Sequence, residues 1–308
     1  MNDTIRNSGS MPEEWFYPSS NFGALPPELC DEKTSRIIVL PVPYEATTTY
    51  SAGCRRGPAA IIEASTNMEL YDEELRREPC EVGIHTSKPL AVVDDAEEMV
   101  KRIDSVAGAY LAKGKFVTLL GGEHSVTLGM VRALSRFYSD LSVLVLDAHA
   151  DFRESYHGNK YNHACVARRA AEVCPLVQAG IRSLSAEEAF ALDKENVTTL
   201  WAQDFRQSRG AADQSELIRR LLKNLTAHVY VSIDADAFDP SIMPAVGTPE
   251  PGGLLWDEVL NVLRSVVNER KVVGLDLVEL APIPGLIHPE FMGARLLYKT
   301  WGYALKPE

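Results

Sequence analysis

The sequence predicts an α/β protein built on a mostly parallel sheet of about eight strands with helices on both faces. Three observations lead there. Short runs rich in Val, Ile and Leu recur at 36–41, 89–93, 116–120, 141–146, 175–181, 197–201, 228–233 and 271–278. Several of these are almost wholly apolar, as strands covered on both faces are. Stretches with helical periodicity lie between most of them, and strand–helix alternation over a whole chain implies a parallel sheet.

Taken in order, residues 1–34 are rich in Ser, Asn, Pro and Glu and lack periodicity, so residues 1–35 read as an irregular N-terminal arm. Strand 36–41 opens the regular part, and a helix follows over 57–70. After strand 89–93, the residues Met99, Val100, Ile103, Val106, Ala107, Tyr110 and Leu111 recur at helical spacing within 94–113. Strand 116–120 runs into Gly121-Gly122-Glu123-His124-Ser125 and a helix over 125–138. Strand 141–146 runs into Asp147-Ala148-His149-Ala150-Asp151, and helices follow at 162–173, 185–193 and 214–225 between the next strands. Strand 228–233 runs into Asp234-Ala235-Asp236. Helix 255–268 leads to strand 271–278, which contains Asp276 and ends at Glu279, and helix 289–300 closes the chain. No linker-like break interrupts the rhythm, so residues 36–308 read as one domain.

The chain has 308 residues, 45% hydrophobic and 24% charged, which excludes a disordered or fibrous protein. A net charge of −12 argues against nucleic acid as a partner and mildly favours a cationic substrate. No apolar run approaches the ~20 residues that span a bilayer, and the first residues lack the layout of a signal peptide. No membrane association and a cytoplasmic location are therefore expected. The cysteines Cys30, Cys54, Cys80, Cys165 and Cys174 are odd in number and form no C-x-x-C pair, so reduced, mostly buried thiols are expected.

Acids and histidines cluster where four strands end, the edge of a parallel sheet at which ligands bind. In Asp147-x-His149-x-Asp151 and Asp234-x-Asp236 the spacing of two sends side chains to one face of an extended backbone. Small alanines between them leave room for a close-packed site. With His124 the set holds two imidazoles and four carboxylates, and carboxylates crowded in this way resist ionising unless a cation sits among them. Two divalent ions suit the count better than one. Oxygen ligands with some imidazole and no thiolate favour manganese, with nickel, cobalt or iron as alternatives, and disfavour cysteine-bound zinc. A lone Asp after a strand is usually a cap or turn former, but so many ligand-type residues on three strand ends are not explained that way. His85, His157, His228 and His288 have no such company and read as ordinary surface or core residues.

These motifs, GGEHS (121–125), DAHADF (147–152), SIDADAFDP (232–240) and DLVELAP (276–282), resemble those of the ureohydrolases, the arginase and agmatinase family. PYEATTTYSAGCRRGPAAI (43–61) and GTPEPGG (247–253) extend the resemblance, which covers roughly residues 36–303. It implies a three-layer α/β/α sandwich around the sheet and a binuclear manganese site on His124, Asp147, His149, Asp151, Asp234 and Asp236. Asp147 and Asp234 would bridge the ions, His124 and Asp151 would complete one, and His149 and Asp236 the other. Glu279 matches the carboxylate that receives the substrate guanidinium. His163 matches a mobile-loop histidine used for proton transfer. Glu123 stands where many members have Asp, at a position that is not a ligand. Trimers or hexamers are usual in the family, so a homo-oligomer is expected.

The implied chemistry is hydrolysis of a guanidino compound to urea and an amine. Two metals lower the pKa of a water, and Glu279 pairs with the planar cation through parallel hydrogen bonds. Asp151 holds the proton of the nucleophile, and His163 protonates the leaving amine. The segment RESYHGNKYN (153–162) lacks the Ser/Asn-rich stretch with which arginases read an α-carboxylate. Ser183 stands where arginases carry Asp after their Gly-Ile-Arg strand end. Both departures favour agmatine, giving putrescine, over arginine. Guanidinobutyrate, with Arg153 or Lys160 as its carboxylate partner, is the alternative substrate, and arginase or formimidoylglutamase are the alternative family activities. Outside the family, a dinuclear metallophosphoesterase would need G-N-H and G-H-x-H segments, which are missing. A single-zinc deacetylase would leave His124 unexplained, and a catalytically inactive binding relative would be expected to have lost ligands.

Overall fold

A computed structural model describes residues 21–195, 197–209 and 212–307. Eight strands, β1 (Ile37–Val42), β2 (Ile84–Thr86), β3 (Phe116–Gly121), β4 (Leu141–Leu146), β5 (Leu176–Ile181), β6 (Thr198–Trp201), β7 (His228–Asp234) and β8 (Lys271–Val278), form one sheet. Their order is β2-β1-β3-β8-β7-β4-β5-β6, and every pairing is parallel. The expected fold class is the observed one.

Among the described residues ten α-helices flank the sheet: α1 (Pro27–Cys30), α2 (Gly57–Ser65), α3 (Ala96–Leu111), α4 (Thr127–Ser135), α5 (Val166–Ala171), α6 (Ala186–Glu195), α7 (Ala202–Gln207), α8 (Ala212–Lys223), α9 (Trp256–Glu269) and α10 (His288–Ala304). Side chains alternate across a strand, and the core divides accordingly. Leu144 and Leu146 of β4, with Val229, Val231 and Ile233 of β7, face Ile61 of α2, Val259 of α9 and Leu297 of α10. Val143 and Val145 of β4, with Tyr230 of β7, face Ile103 of α3, Met130 of α4 and Ala167 of α5. Every residue of β1, β3, β4 and β5 is buried, which is why these strands read as almost wholly apolar runs, broken only by Thr118, Ser142 and Gln178.

Two expectations need correction. The second strand is Ile84–Thr86, and residues 89–93 form none. Pro89 has no N–H for a ladder. Beyond β2 the chain follows β1 only through isolated bonds, Ser87 N–H to the Val39 carbonyl and Leu90 N–H to that of Pro41. The segment 162–173 is likewise not one helix: a 3-10 turn, His163–Cys165, precedes α5. Of the N-terminal arm, residues 1–20 lie outside the described residues. Phe22 is fully buried and packs edge-on against Trp301, with ring centroids 4.7 Å apart. Among the described residues no helix is long and apolar enough to cross a membrane.

In sheet order β3, β8, β7 and β4 are four consecutive strands at the centre. Their carboxyl ends carry the four acid- and histidine-bearing segments, so the topology alone brings residues 122–125, 147–151, 234–236 and 279 side by side.

Candidate metal centre

Asp147 follows directly on β4. Its segment keeps pairing after the strand ends: Asp147 N–H donates to the Ala179 carbonyl, and Arg182 and Ser183 N–H both donate to Ala148. Asp234 is the last residue of β7, and Asp236 lies in the 3-10 turn after it. His124 opens a 3-10 turn two residues beyond Gly122. A Cβ at Gly122 would lie 2.0 Å from the Tyr44 carbonyl oxygen, so only glycine lets the loop after β1 cross there. Asp151 and Glu279 are non-glycine residues with positive φ, 47° and 61°. Such backbone is strained and is found where a site requires it.

The carboxylates are aimed by backbone amides. Asp147 accepts from His149 N–H at 2.6 Å, Asp234 from Asp236 N–H at 2.8 Å, and Asp236 from Ala148 N–H at 3.0 Å, each through its Oδ1. The Oδ2 atoms turn inward. His124 Nδ1 has Asp147, Asp234 and Asp151 Oδ2 at 3.1, 3.2 and 3.3 Å, and His149 Nδ1 lies 2.9 Å from Asp236 Oδ2. Among the described residues two groups of donor atoms come close enough to share an ion: His124, Asp147 and Asp234, and then Asp147, His149 and Asp236. Asp147 belongs to both and Asp234 to the first, while Asp151 stands beside His124 at the edge of the first group. Glu279 is brought to the same rim, where its Oε1 accepts from His124 N–H at 2.7 Å.

The donor set fits divalent cations. His124 Nδ1 and Asp147 Oδ2 are buried yet lack a hydrogen-bond partner, although each sits near oppositely charged atoms. One nitrogen equidistant from three carboxylate oxygens, aligned with none, is the geometry of ligands around a common centre. Burial, then the neighbouring Asp234, Asp236 and Asp151, pushes the Asp147 carboxyl well above the carboxylate range. Burial and Asp236 push Asp234 up to about 7. Burial opposes charge on His149, but Asp236 prevails and the ring is pushed up to about 11. His124 is likewise held well above its ordinary value, its three carboxylates outweighing burial. Asp236 alone is lowered: burial works against its charge, and His149 with the Ala148 amide outweighs it. Protein charges alone therefore leave the acid cluster short of positive charge.

The groove beside these residues has a volume of about 280 Å³ and is lined by His149, Asp151, His163, Asp234, Asp236 and Glu279. Burial, with Asp234 and Glu123 nearby, holds Glu279 well above the carboxylate range. Arg153 also lines the groove, but its guanidinium stacks 4.6 Å over Tyr156 and lies 3.7 Å from Glu188. Lys160 stacks 5.3 Å from the Tyr161 ring centre. Arg153 is thus engaged by a ring and an acid, and Lys160 by a ring.

Sequence reasoning missed four supporting groups. Ser232 sits 3.0 Å from His124 Nε2 and donates to Asp276 Oδ1 at 2.7 Å, so a fully buried strand acid orients the imidazole. Arg182 donates to the carbonyls of Asp236 and Glu250, both at 2.8 Å, stapling that loop to the end of β5. Thr47 contacts His163. Glu250 accepts from Ser183 Oγ at 2.9 Å and lies 4.0 Å from His149 Nε2. Each lies within a segment that the sequence singles out, 43–61, the Gly-Ile-Arg strand end, 232–240 and 247–253, but nothing in the spacing marks its role.

Comparison with known proteins gives a consistent outcome. Residues 35–301 match the family described as the arginase family. An N(1)-aminopropylagmatine ureohydrolase of Synechocystis is 42% identical over 87% of this chain and 88% of its own. An agmatinase of Pyrococcus horikoshii is 34% identical over 82% and 86%. The crystal structure of the agmatine ureohydrolase of Thermoplasma volcanium superposes with a TM-score of 0.84 at 30% identity, covering 94% of this chain and 96% of that one.

Proposed function

The chain belongs to the arginase family, and on that premise we propose that it is a manganese-dependent ureohydrolase holding two ions and releasing urea from an agmatine-type guanidino amine. The observation that carries this reading is the convergence of His124, Asp147, His149, Asp151, Asp234 and Asp236 on one rim, with Glu279 beside them at the wall of the groove. Agmatine and its N1-aminopropyl derivative are both candidates. The names of the relatives at 42% and 34% identity support the longer and the shorter amine respectively.

His124, Asp147, Asp151 and Asp234 would hold one ion, and His149 and Asp236 the other, with Asp147 and Asp234 shared. When bound, the ions supply the Lewis acidity that makes water nucleophilic at neutral pH. Glu279 would take the planar guanidinium in parallel hydrogen bonds, and the cation would draw its carboxyl towards the charged form. Asp151 would hold the proton of the attacking water, and His163 would give a proton to the leaving nitrogen as its bond to carbon breaks. The Glu250 carboxylate near the groove supports selection of an amine over arginine, whose α-carboxylate would meet like charge there.

Urea release tests this reading directly, with agmatine, N1-aminopropylagmatine, arginine and 4-guanidinobutyrate compared before and after chelation and with Mn²⁺ restored. One of the two amines should give the highest kcat/KM, and activity should follow metal. Urea from none of the four would overturn the activity, and one ion or fewer per active chain by elemental analysis would overturn the binuclear site. If arginine matched the amines, the selectivity argument alone would fall.

A further inference from the structure

We infer that Thr47, itself held by Glu123, is a positioning residue that fixes the tautomer of His163 and so presents the opposite ring nitrogen to the groove. The inference rests on the proton-transfer role proposed for His163.

A hydroxyl has one proton and two lone pairs. Thr47 Oγ1 has three contacts: Glu123 Oε1 at 2.6 Å, His163 N–H at 3.0 Å and His163 Nδ1 at 3.1 Å. The second can only be accepted by Thr47. Glu123 takes the proton, because it is buried as an acceptor of four bonds. Ala46 and Thr47 N–H donate to its Oε2 at 2.6 and 2.7 Å, and Ser125 Oγ joins Thr47 Oγ1 on Oε1 at 2.5 Å. The remaining lone pair of Thr47 faces Nδ1, so Nδ1 carries hydrogen in every protonation state of the ring. Proton loss and gain then occur at Nε2. A general acid works only if the nitrogen that titrates is the one that faces substrate. The alternative tautomer would bury the basic nitrogen against Thr47. The same threonine also anchors the loop, since its carbonyl accepts from Asn162 Nδ2 at 3.4 Å. Glu123, set apart in the sequence as an acid that is not a ligand, thereby orients the hydroxyl that orients the imidazole.

Long-range ¹H–¹⁵N correlation of protein labelled at histidine, loaded with a diamagnetic divalent ion such as zinc, reads the tautomer directly. The His163 signals are identified by their loss in His163→Ala. The neutral ring should show the Nδ1–H pattern in the native protein and in Thr47→Ser, and lose that preference in Thr47→Val. A native Nε2–H pattern, or an unchanged pattern in Thr47→Val, overturns the inference whether or not the protein releases urea. In kinetics Thr47→Val should lower kcat about ten- to a hundredfold, a part of the 10²–10⁴ typical of general acid–base catalysis. KM and metal content should stay near native, and Thr47→Ser should recover most of the rate. In a His163→Ala background Thr47→Val should cost nothing further, whereas an additive loss would mean that Thr47 acts by another route. Thr47→Ala is a second hydroxyl-free variant, read in the same way if Thr47→Val fails to fold. Urea release from the native protein tests the ureohydrolase reading separately from the tautomer.

Discussion

Two acid clusters of this molecule, each built on a fully buried aspartate, find their positive charge in different ways. Behind α10, Asp72 is buried and pairs with Lys299 at 3.0 Å, with Glu73 and Glu74 reaching the same ammonium at 3.1 and 3.6 Å. Backbone amides of Leu75 and Glu74 and the lysine outweigh burial there and hold Asp72 below its ordinary value. At the centre of the sheet, the ion pairs of Asp147 and Asp234 among the described residues are with imidazoles, Arg182 acts on Asp147 only from a distance, and both acids are pushed upward. A cluster that carries its own lysine is a structural strut. A cluster that lacks one fits the proposed role of a receptor for cations supplied from outside.

The largest effect expected from this contrast is that of Asp147→Ala. The residue belongs to both donor groups, so its loss should leave protein that retains neither ion through gel filtration. Losing metal assistance of several kcal/mol should lower kcat/KM at least about a thousandfold. Tight retention of both ions by this variant would contradict a shared carboxylate. The fold should survive, because the mutation relieves crowding among acids.

Lys299→Met should do the reverse. Removing one partner of a buried pair is expected to cost about 3–5 kcal/mol of stability, visible as a lower urea midpoint, while metal content per folded chain stays native. Equal stability would mean that Asp72 is satisfied by its backbone donors alone.

Glu279→Gln is smaller and more specific. It should keep both ions and fold normally, yet lose the charge-assisted pair with the guanidinium. Such bonds are worth about 1.5–3 kcal/mol, so kcat/KM should fall at least about tenfold. Near-native kinetics would remove Glu279 from substrate recognition.

The comparison also separates the clusters by pH in metal-free protein. Asp72 is depressed and Lys299 is raised. The first contributes stability that disappears only as pH falls below the carboxylate range, the second stability that disappears only above the ordinary lysine range. Neither changes between pH 5 and 9. Asp234 is raised to about 7, so the unfolded chain gives up its proton first and stability declines as pH rises towards 7. His149 is raised to about 11, so its contribution, complete below the ordinary histidine value, declines from there upward. Calorimetry of chelated protein should therefore show Tm falling from pH 5 to 9, with the gap to metal-loaded protein widening. A flat or rising Tm in the chelated form would show that the acid cluster is neutralised from within.

What the sequence revealed, and what it hid, follows the same line of physics. Asp147, His149 and Asp151 could be read because ligand-type residues spaced by two follow a strand's end, although the strand stops at Leu146 and Asp151 reaches the site through a φ of 47° and not through an extended backbone. The parallel sheet could be read because its strands are buried on both faces. The partners that tune the site could not. Ser232 meets His124 across 108 residues, Thr47 meets His163 across 116, and Lys299 meets Asp72 across 227. No local pattern encodes such meetings. Residues 89–93 misled for the opposite reason: their local pattern was apolar, but Pro89 denied them a ladder.

The least effect is expected from Glu250, and it bears on which guanidino compound is preferred. Its carboxylate is held by Ser183, the residue that stands where arginases carry an acid, and lies 4.0 Å from His149 Nε2. Its side chain is 37% exposed, so water screens it, and a charge pair several ångströms long in such surroundings is worth about 0.5–1 kcal/mol. On the proposed reading an amine tail would gain that amount from Glu250, and a carboxylate tail would lose it. Glu250→Gln should thus lower kcat/KM for agmatine about two- to fivefold and raise it for 4-guanidinobutyrate by a similar factor. Metal content should not change, because Glu250 belongs to neither donor group. The ratio of the two substrates is the decisive quantity, since a general loss of activity lowers both and leaves it constant. If the ratio is unchanged while N1-aminopropylagmatine alone slows, the acid reads a more distant ammonium, and selection against the carboxylate must then be sought in the segment 153–162.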